Sequence, residues 1–270
     1  MNNHLGMECE IMYNRYIDSS MVLCASTKHT DYRIRARKII TGGLFEKSTY
    51  TLKVSDVSAE RLNKIFNRRK DNYSYLFTCL SPEKCLGKTP NDFIHCFTRG
   101  SLADHVDDNH MKELFSMLLF EMDIDETHIF DEETSEKFYL TVLRTIEYNK
   151  TRLGLLIKQI EDEELIFGCD FEKDTWSLHK KLKSVINDNK VKTDILNYSI
   201  CIIDGIKNNM DFEIITADSY FTDSRKLKKI HNVVTKLYGN EYDTCIKPLY
   251  EAYGYEEKQE RVGLRIRIDS

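Results

Sequence analysis

No Gly-x-x-x-x-Gly-Lys loop, no Gly-x-Gly-x-x-Gly turn and no Gly-x-Ser-x-Gly elbow occurs in this chain. Those absences argue against a P-loop NTPase, a Rossmann oxidoreductase and an α/β-hydrolase. The start, "MNNHLGMECEIMYNRYI", lacks the basic end and apolar core of a secretory signal. No apolar run approaches the length of a membrane span, so no membrane partner is expected. A positive surplus is also missing. The formal net charge is −5, so no global attraction draws the chain to nucleic acid, and a polyanion would need a local basic patch. Only three prolines are present. With the abundant Lys, Asn, Ile and Asp, their scarcity reads as a bias of the source genome. There is no internal repeat and no low-complexity tract.

What is present suffices for a globular protein. The 270 residues, 41% hydrophobic and 31% charged, can bury a substantial core. Eight cysteines without a secretory signal point to free thiols in a reducing, cytoplasmic setting. The apolar patterning alternates between strand and helix. "RYIDSSMVL" reads as a buried strand, and "TDYRIRARKIITGGL" as a helix with Ile34, Ile39 and Ile40 inward and Gly42-Gly43 as its stop. "STYTLKVS" is a second strand. "DVSAERLNKIF" is a helix capped by Ser55 or Asp56. Residues 67–109 hold two prolines and three cysteines and read as an irregular insertion. Beyond it, "HMKELFSMLLFEM" is a helix. One long helix or two stacked helices follow, capped by Thr134 or Ser135, and then the basic helix "TWSLHKKLKSVIND". "KTDILNYSICIIDGIKNN" is an apolar helix capped by Thr193 or Asp194 and closed by Gly205 or the Asn pair. "FEIITADSYF" is a buried strand and "SRKLKKIHNVVTKLYG" a basic helix, and the remainder either docks on the body or ends as an added strand, "GLRIRI".

Four acids stand out because each lies at the end of a short apolar run: Asp18, Glu60, Asp194 and Asp218. The α/β order would bring them to the C-terminal edge of a parallel sheet. Carboxylates gathered there repel one another unless a cation neutralises them, which implies a divalent metal, Mg2+ or Mn2+. Taken singly, each has a plainer reading. Asp194 could be a helix cap and Asp218 a turn former.

The order of these motifs resembles the PIN-domain family of metal-dependent ribonucleases. The family's first strand ends in Asp and Ser or Thr, as "YIDSSMVL" does. Its second acid follows a strand ending like "KVS", as Glu60 does. Its third opens an apolar helix, as Asp194 does in "TDILNYSICII". Its fourth lies in Thr-x-Asp-x-x-Phe, matched by Thr216, Asp218 and Phe221. The stretch from Asp194 to Asp218 is longer than usual, and another alignment puts Asn197 or Ser199 third. The resemblance implies a three-layer α/β core over 1–66 and 110–225, with 67–109 inserted and 226–270 as a C-terminal extension. It also implies an endoribonuclease. Asp18, Asp194 and Asp218 would be metal ligands. Glu60 would be a further ligand that orients or deprotonates a metal-bound water. Thr216 and Ser19 would hydrogen-bond the carboxylates, and Asp223 is an added candidate. RNA would be the substrate partner, and an antitoxin or other protein a second partner. The alternative is an inactive PIN-like scaffold that binds RNA or protein.

Other residues carry less. Cys79, Cys85, His95 and Cys96 are zinc-binding types, but their spacing matches no standard knuckle and buried thiols are the simpler reading. Basic clusters at Arg33, Arg35, Arg37 and Lys38, at Arg68, Arg69 and Lys70, at Lys180, Lys181 and Lys183, and at Arg225, Lys226, Lys228 and Lys229 are solvated faces or phosphate contacts. Trp176 reads as core and His179 as surface.

Overall fold

The computed structural model describes residues 13–26, 33–45, 50–93, 108–161, 165–166, 168, 172–188, 191–208, 211–218, 221, 224–239, 242 and 245–249. In chain order the main elements are β1 (Tyr13–Ile17), α1 (Ser19–Ser26), α2 (Arg33–Phe45), β2 (Tyr50–Ser55), α3 (Asp56–Cys79) and α4 (Pro82–Cys85). They continue with α5 (Asp108–Met122), α6 (Glu132–Glu161), β3 (Leu165–Ile166), α7 (Glu172–Ile186), α8 (Lys192–Lys207), β4 (Phe212–Thr216), α9 (Ser224–Tyr238) and β5 (Ile246–Pro248). The chain forms two compact units. One comprises Met1–Ala25, Thr30–Glu60 and Lys158–Ser270; the other comprises Ser26–His29 and Arg61–Ile157. Among the described residues, no helix is long and apolar enough to cross a membrane.

The first unit is an α/β sheet domain. Its strands run in the order β3-β2-β1-β4-β5, and every pairing is parallel. Parallel sheets are covered on both faces, and β1 and β4 are accordingly buried along all but their first residue. The register sets Arg15 beside Glu213 and Tyr16 beside Ile214. Tyr13, Arg15 and Tyr50 share the face toward α2, where the Tyr50 hydroxyl donates to the Ile39 carbonyl at 2.7 Å. Tyr16, Phe212 and Ile214 share the other face and pack with α7, α8 and α9 into one core that includes Leu178, Leu182, Ile195, Tyr198, Ile230 and Val234. Gly205 lies inside α8 because the Phe212 ring fills the space a Cβ would need. On the outer strand, Ile246 N–H donates to His231 Nε2 of α9 at 3.2 Å.

The second unit is helical and has a separate core. Phe138 stacks on Phe115 at 6.1 Å between ring centroids and lies 4.7 Å from Phe130, with Leu76, Leu80, Leu118 and Val142 around them. Gly87, at φ 71°, donates to the Phe130 carbonyl at 2.8 Å, and Phe130 N–H returns a bond to Lys88.

Several local expectations change. The strand in "RYIDSSMVL" ends at Ile17, and "SSMVLCAS" is helix α1. Gly42 and Gly43 lie within α2, and Ile34 is exposed while Ala36, Ile39 and Ile40 are buried. The stretch read as an irregular insertion begins as helix, since α3 continues to Cys79. The units divide near Glu60 and Lys158, and the part after residue 225 supplies α9 and β5 to the sheet domain. α6 is one helix. Asp131 caps it, accepting from Thr134 N–H, while Thr134 Oγ1 accepts from Asp131 N–H. His179 is buried on the α7 stripe with Thr175, Leu178 and Leu182, whereas Trp176 is 46% exposed. Cys79 and Cys85 are free thiols. His95, Cys96, Asp223 and "GLRIRI" lie outside the described residues.

Candidate carboxylate site at the sheet edge

The strand order makes one position special. From β1 the chain moves outward to β2 and β3, then returns to β4 on the other side of β1. The crevice at the carboxyl ends of β1 and β4 is therefore the topological switch point, where open parallel sheets bind ligands. Asp18 follows the last residue of β1 and Asp218 lies two residues past β4. The expectation that these acids end neighbouring parallel strands agrees with the pairing of β1 and β4.

Asp18 is 2% exposed and fully hydrogen-bonded. Its Oδ1 accepts from Ser20 Oγ and from Met21 N–H at 3.1 Å. Its Oδ2 accepts from Thr216 Oγ1 at 2.6 Å and from the Tyr198 hydroxyl at 3.2 Å. Four donors fill the four lone-pair positions of a carboxylate, and all four are neutral. Burial pushes the Asp18 carboxyl above its ordinary range. Bonds from Ser20, Thr216 and Met21 oppose that push, and the negative charge of Asp218 adds to it.

The same bonds fix the loop after β4. Ser20 Oγ accepts from Ala217 N–H at 2.9 Å, and Thr216 Oγ1 accepts from Asp218 N–H at 3.1 Å. Phe221 N–H donates to the Asp218 carbonyl at 3.1 Å, and the Phe221 ring meets Tyr198 edge-on at 4.9 Å. Thr216, Asp218 and Phe221 are thus tied together at the end of β4. Asp218 itself is half-buried.

Asp194 is 4% exposed in the first turn of α8. It is not the cap. Val191 occupies that position and makes no side-chain cap bond. An acid there still favours the positive end of the helix. Tyr198, one turn further on, joins the three aspartates electrostatically. Burial pushes its phenol well above the ordinary value, and the charges of Asp18, Asp194 and Asp218 push it further.

Glu60 is exposed on α3, five residues past the Ser55 cap, which accepts from Ser58 N–H at 3.1 Å. The principal charges acting on Tyr198 and Asp18 do not include it. Asp56, half-buried at the start of α3, accepts from Val57 N–H at 2.7 Å and Gly168 N–H at 3.1 Å. Asn197 is buried and accepts from Ser55 Oγ, while Ser199 donates to the Ile195 carbonyl. Neither takes the place of Asp194. The serine that holds Asp18 is Ser20, where the sequence had suggested Ser19.

Sequence reasoning missed Tyr198 and Ser20. Tyr198 lies within the apolar run "ILNYSICII", but a hydroxyl in such a run signals a buried acceptor nearby. Among the described residues, no three His, Cys, Asp or Glu side chains form a group that could hold a metal ion. Comparison with protein-family models, with curated proteins and with solved structures finds no match.

Proposed function

We propose that the switch-point crevice is the active site of a metal-dependent nuclease, acting as an endoribonuclease with PIN-like chemistry. The observation that carries this reading is Asp18, a buried carboxylate given four neutral donors and set beside a second acid. A divalent cation is the ligand that such a charge arrangement favours. The acids fit Mg2+ or Mn2+ in kind. Asp218 and Asp194 would hold the ion with Asp18, and Ser20, Thr216 and Tyr198 would orient Asp18. Because Asp18 is saturated, its contact with an ion would exchange one hydroxyl donor, and Ser20 can turn without losing its bond from Ala217.

The reaction is phosphodiester hydrolysis. A water oxygen forms a new bond to phosphorus, the bond to one ribose oxygen breaks, and that oxygen leaves with a proton. When bound, the ion would supply an activated water and neutralise developing charge. Glu60, exposed on α3, would take the proton of water. The test is cleavage of single-stranded RNA with Mn2+ or Mg2+, comparing wild type with Asp218→Asn and Glu60→Gln. Cleavage that persists in Asp218→Asn removes this assignment.

A second reading has its own support. The saturated Asp18 and the absence, among the described residues, of a three-ligand group favour a PIN-like scaffold that binds RNA or protein without cutting. RNA binding without cleavage under any divalent ion selects it.

A further inference from the structure

The sheet domain carries a strong charge asymmetry on two adjacent helices. α7 has no acid after Asp174, and α9 has none at all. Their exposed positions include Lys180, Lys181, Lys183, Lys228, Lys229 and Lys236. None of these six forms an ion pair with a described residue. The helices run antiparallel. The charge of Asp174 at the start of α7 reaches Tyr238 at the end of α9, while Val185 near the end of α7 faces Lys229. Between them lies an open groove of about 430 Å³, lined by Val185, Lys229, Asn232, Val233 and Lys236. Lys229, Asn232, Val233 and Lys236 are a single stripe at helical spacing, and Lys181, one turn before Val185, continues the cationic wall on α7.

We propose that this groove is a phosphate track for single-stranded RNA, the stretch of surface that holds the polymer of the proposed nuclease. It rests on that reading for the choice of polymer. Two features favour RNA. A net charge of −5 means that an anion binds only where cations concentrate, and here they do so in a line. Lysines act as point charges and suit a sequence-tolerant contact with a backbone. An anionic membrane is disfavoured because the apolar stripes are already used. Leu227, Ile230 and Val234 of α9 and Leu178 and Leu182 of α7 are buried in the core.

The test uses the full chain and fluorescein-labelled single-stranded RNA of mixed sequence. Anisotropy is read in EDTA between about 50 and 200 mM salt. Binding should weaken linearly with the logarithm of salt, and each lysine removed should flatten the slope by about 0.7. K181E/K229E/K236E should lose at least about tenfold in affinity with an unchanged circular dichroism melt, whereas R68E/K70E in the helical unit should not. Trp176→Leu, on the face of α7 opposite Val185, should leave binding unchanged. Unchanged affinity and salt slope in the triple variant overturns the proposal. So does equal or tighter binding to poly-glutamate, or to phosphatidylserine vesicles, at the same salt. If the RNA binds through these lysines but is never cleaved with Mn2+, the track stands and the nuclease reading falls.

Discussion

Two buried carboxylates, Asp18 just past the end of β1 and Glu213 on the neighbouring β4, are treated in opposite ways. Glu213 faces Arg15, which donates from Nε at 2.6 Å, and Lys247, which reaches it at 2.8 Å. Arg15 is itself held over the Tyr50 ring at 4.1 Å. Burial alone would raise the Glu213 carboxyl, but the Arg15 charge and the Lys247 bond override it and hold it below its ordinary range. Asp18 receives only neutral donors, and burial raises it. The chain supplies countercharge to the structural Glu213 and gives Asp18, at the switch point, neutral donors instead. That asymmetry separates a candidate site from a structural ion pair better than burial does, since both residues are buried.

The contrast can be broken by substitution. The largest expected effect is on catalysis. Asp218→Asn should reduce Mn2+-dependent RNA cleavage by more than about 100-fold, since partners one shell further out are already worth 10–100-fold. Circular dichroism should show its fold intact.

Stability comes next. Glu213→Gln leaves Arg15 buried without its countercharge and should cost about 3–5 kcal/mol in urea unfolding. Asp18→Asn should cost only about 1 kcal/mol, because its amide oxygen can keep the Met21 and Ser20 bonds while the Thr216 and Tyr198 hydroxyls turn to accept. Equal losses at the two positions would erase the distinction.

The pH dependences should also oppose each other. Glu213, lowered in the folded state, contributes stability above its unfolded pKa that is lost as pH falls through the folded value. Asp18, raised in the folded state, contributes stability present below about pH 4 that is lost as pH rises through its folded value. In urea melts across pH, Glu213→Gln should flatten the acid-side loss. Asp18→Asn should flatten the decline above pH 4.

The smallest effect sharpens the comparison at one atom. Tyr198→Phe removes one donor from Asp18 Oδ2 and should cost about 1 kcal/mol. It also opens a lone pair, so the rise in Tm caused by Mn2+ should exceed that of wild type. An unchanged rise would mean that an ion does not touch Asp18.

Much of this site was legible where strand-end chemistry is local. Asp18 and Asp218 followed from apolar runs that end in polar residues, Thr216 and Phe221 only from a family resemblance, and the parallel pairing of β1 with β4 fits the two acids. The errors came from signals that period and composition share between elements. "SSMVL" is as apolar as a strand, yet it turns helical once β1 stops at Ile17. Trp176 and His179 were exchanged because residue type outweighed helical phase, although Thr175, Leu178, His179 and Leu182 already mark the buried stripe. Tyr198 and Ser20 depend on a partner far away in sequence, which no local pattern encodes. The division into two units was also hidden, because α3 and α6 each continue through the boundary without a break in periodicity.

The outer strand β5 has a consequence for self-association. In its parallel register with β4, Cys245 accepts from Ile214, so Ile246 and Pro248 turn their backbone outward. Ile246 spends its outward N–H on His231, and Pro248 has none to offer. At these positions β5 presents no donor that a strand from another molecule could pair with, so this rim resists templated, amyloid-like growth. The Ile246 block holds only while His231 Nε2 is an acceptor. Replacing His231 with alanine would return that N–H to solvent and open β5 at this position to a neighbouring chain.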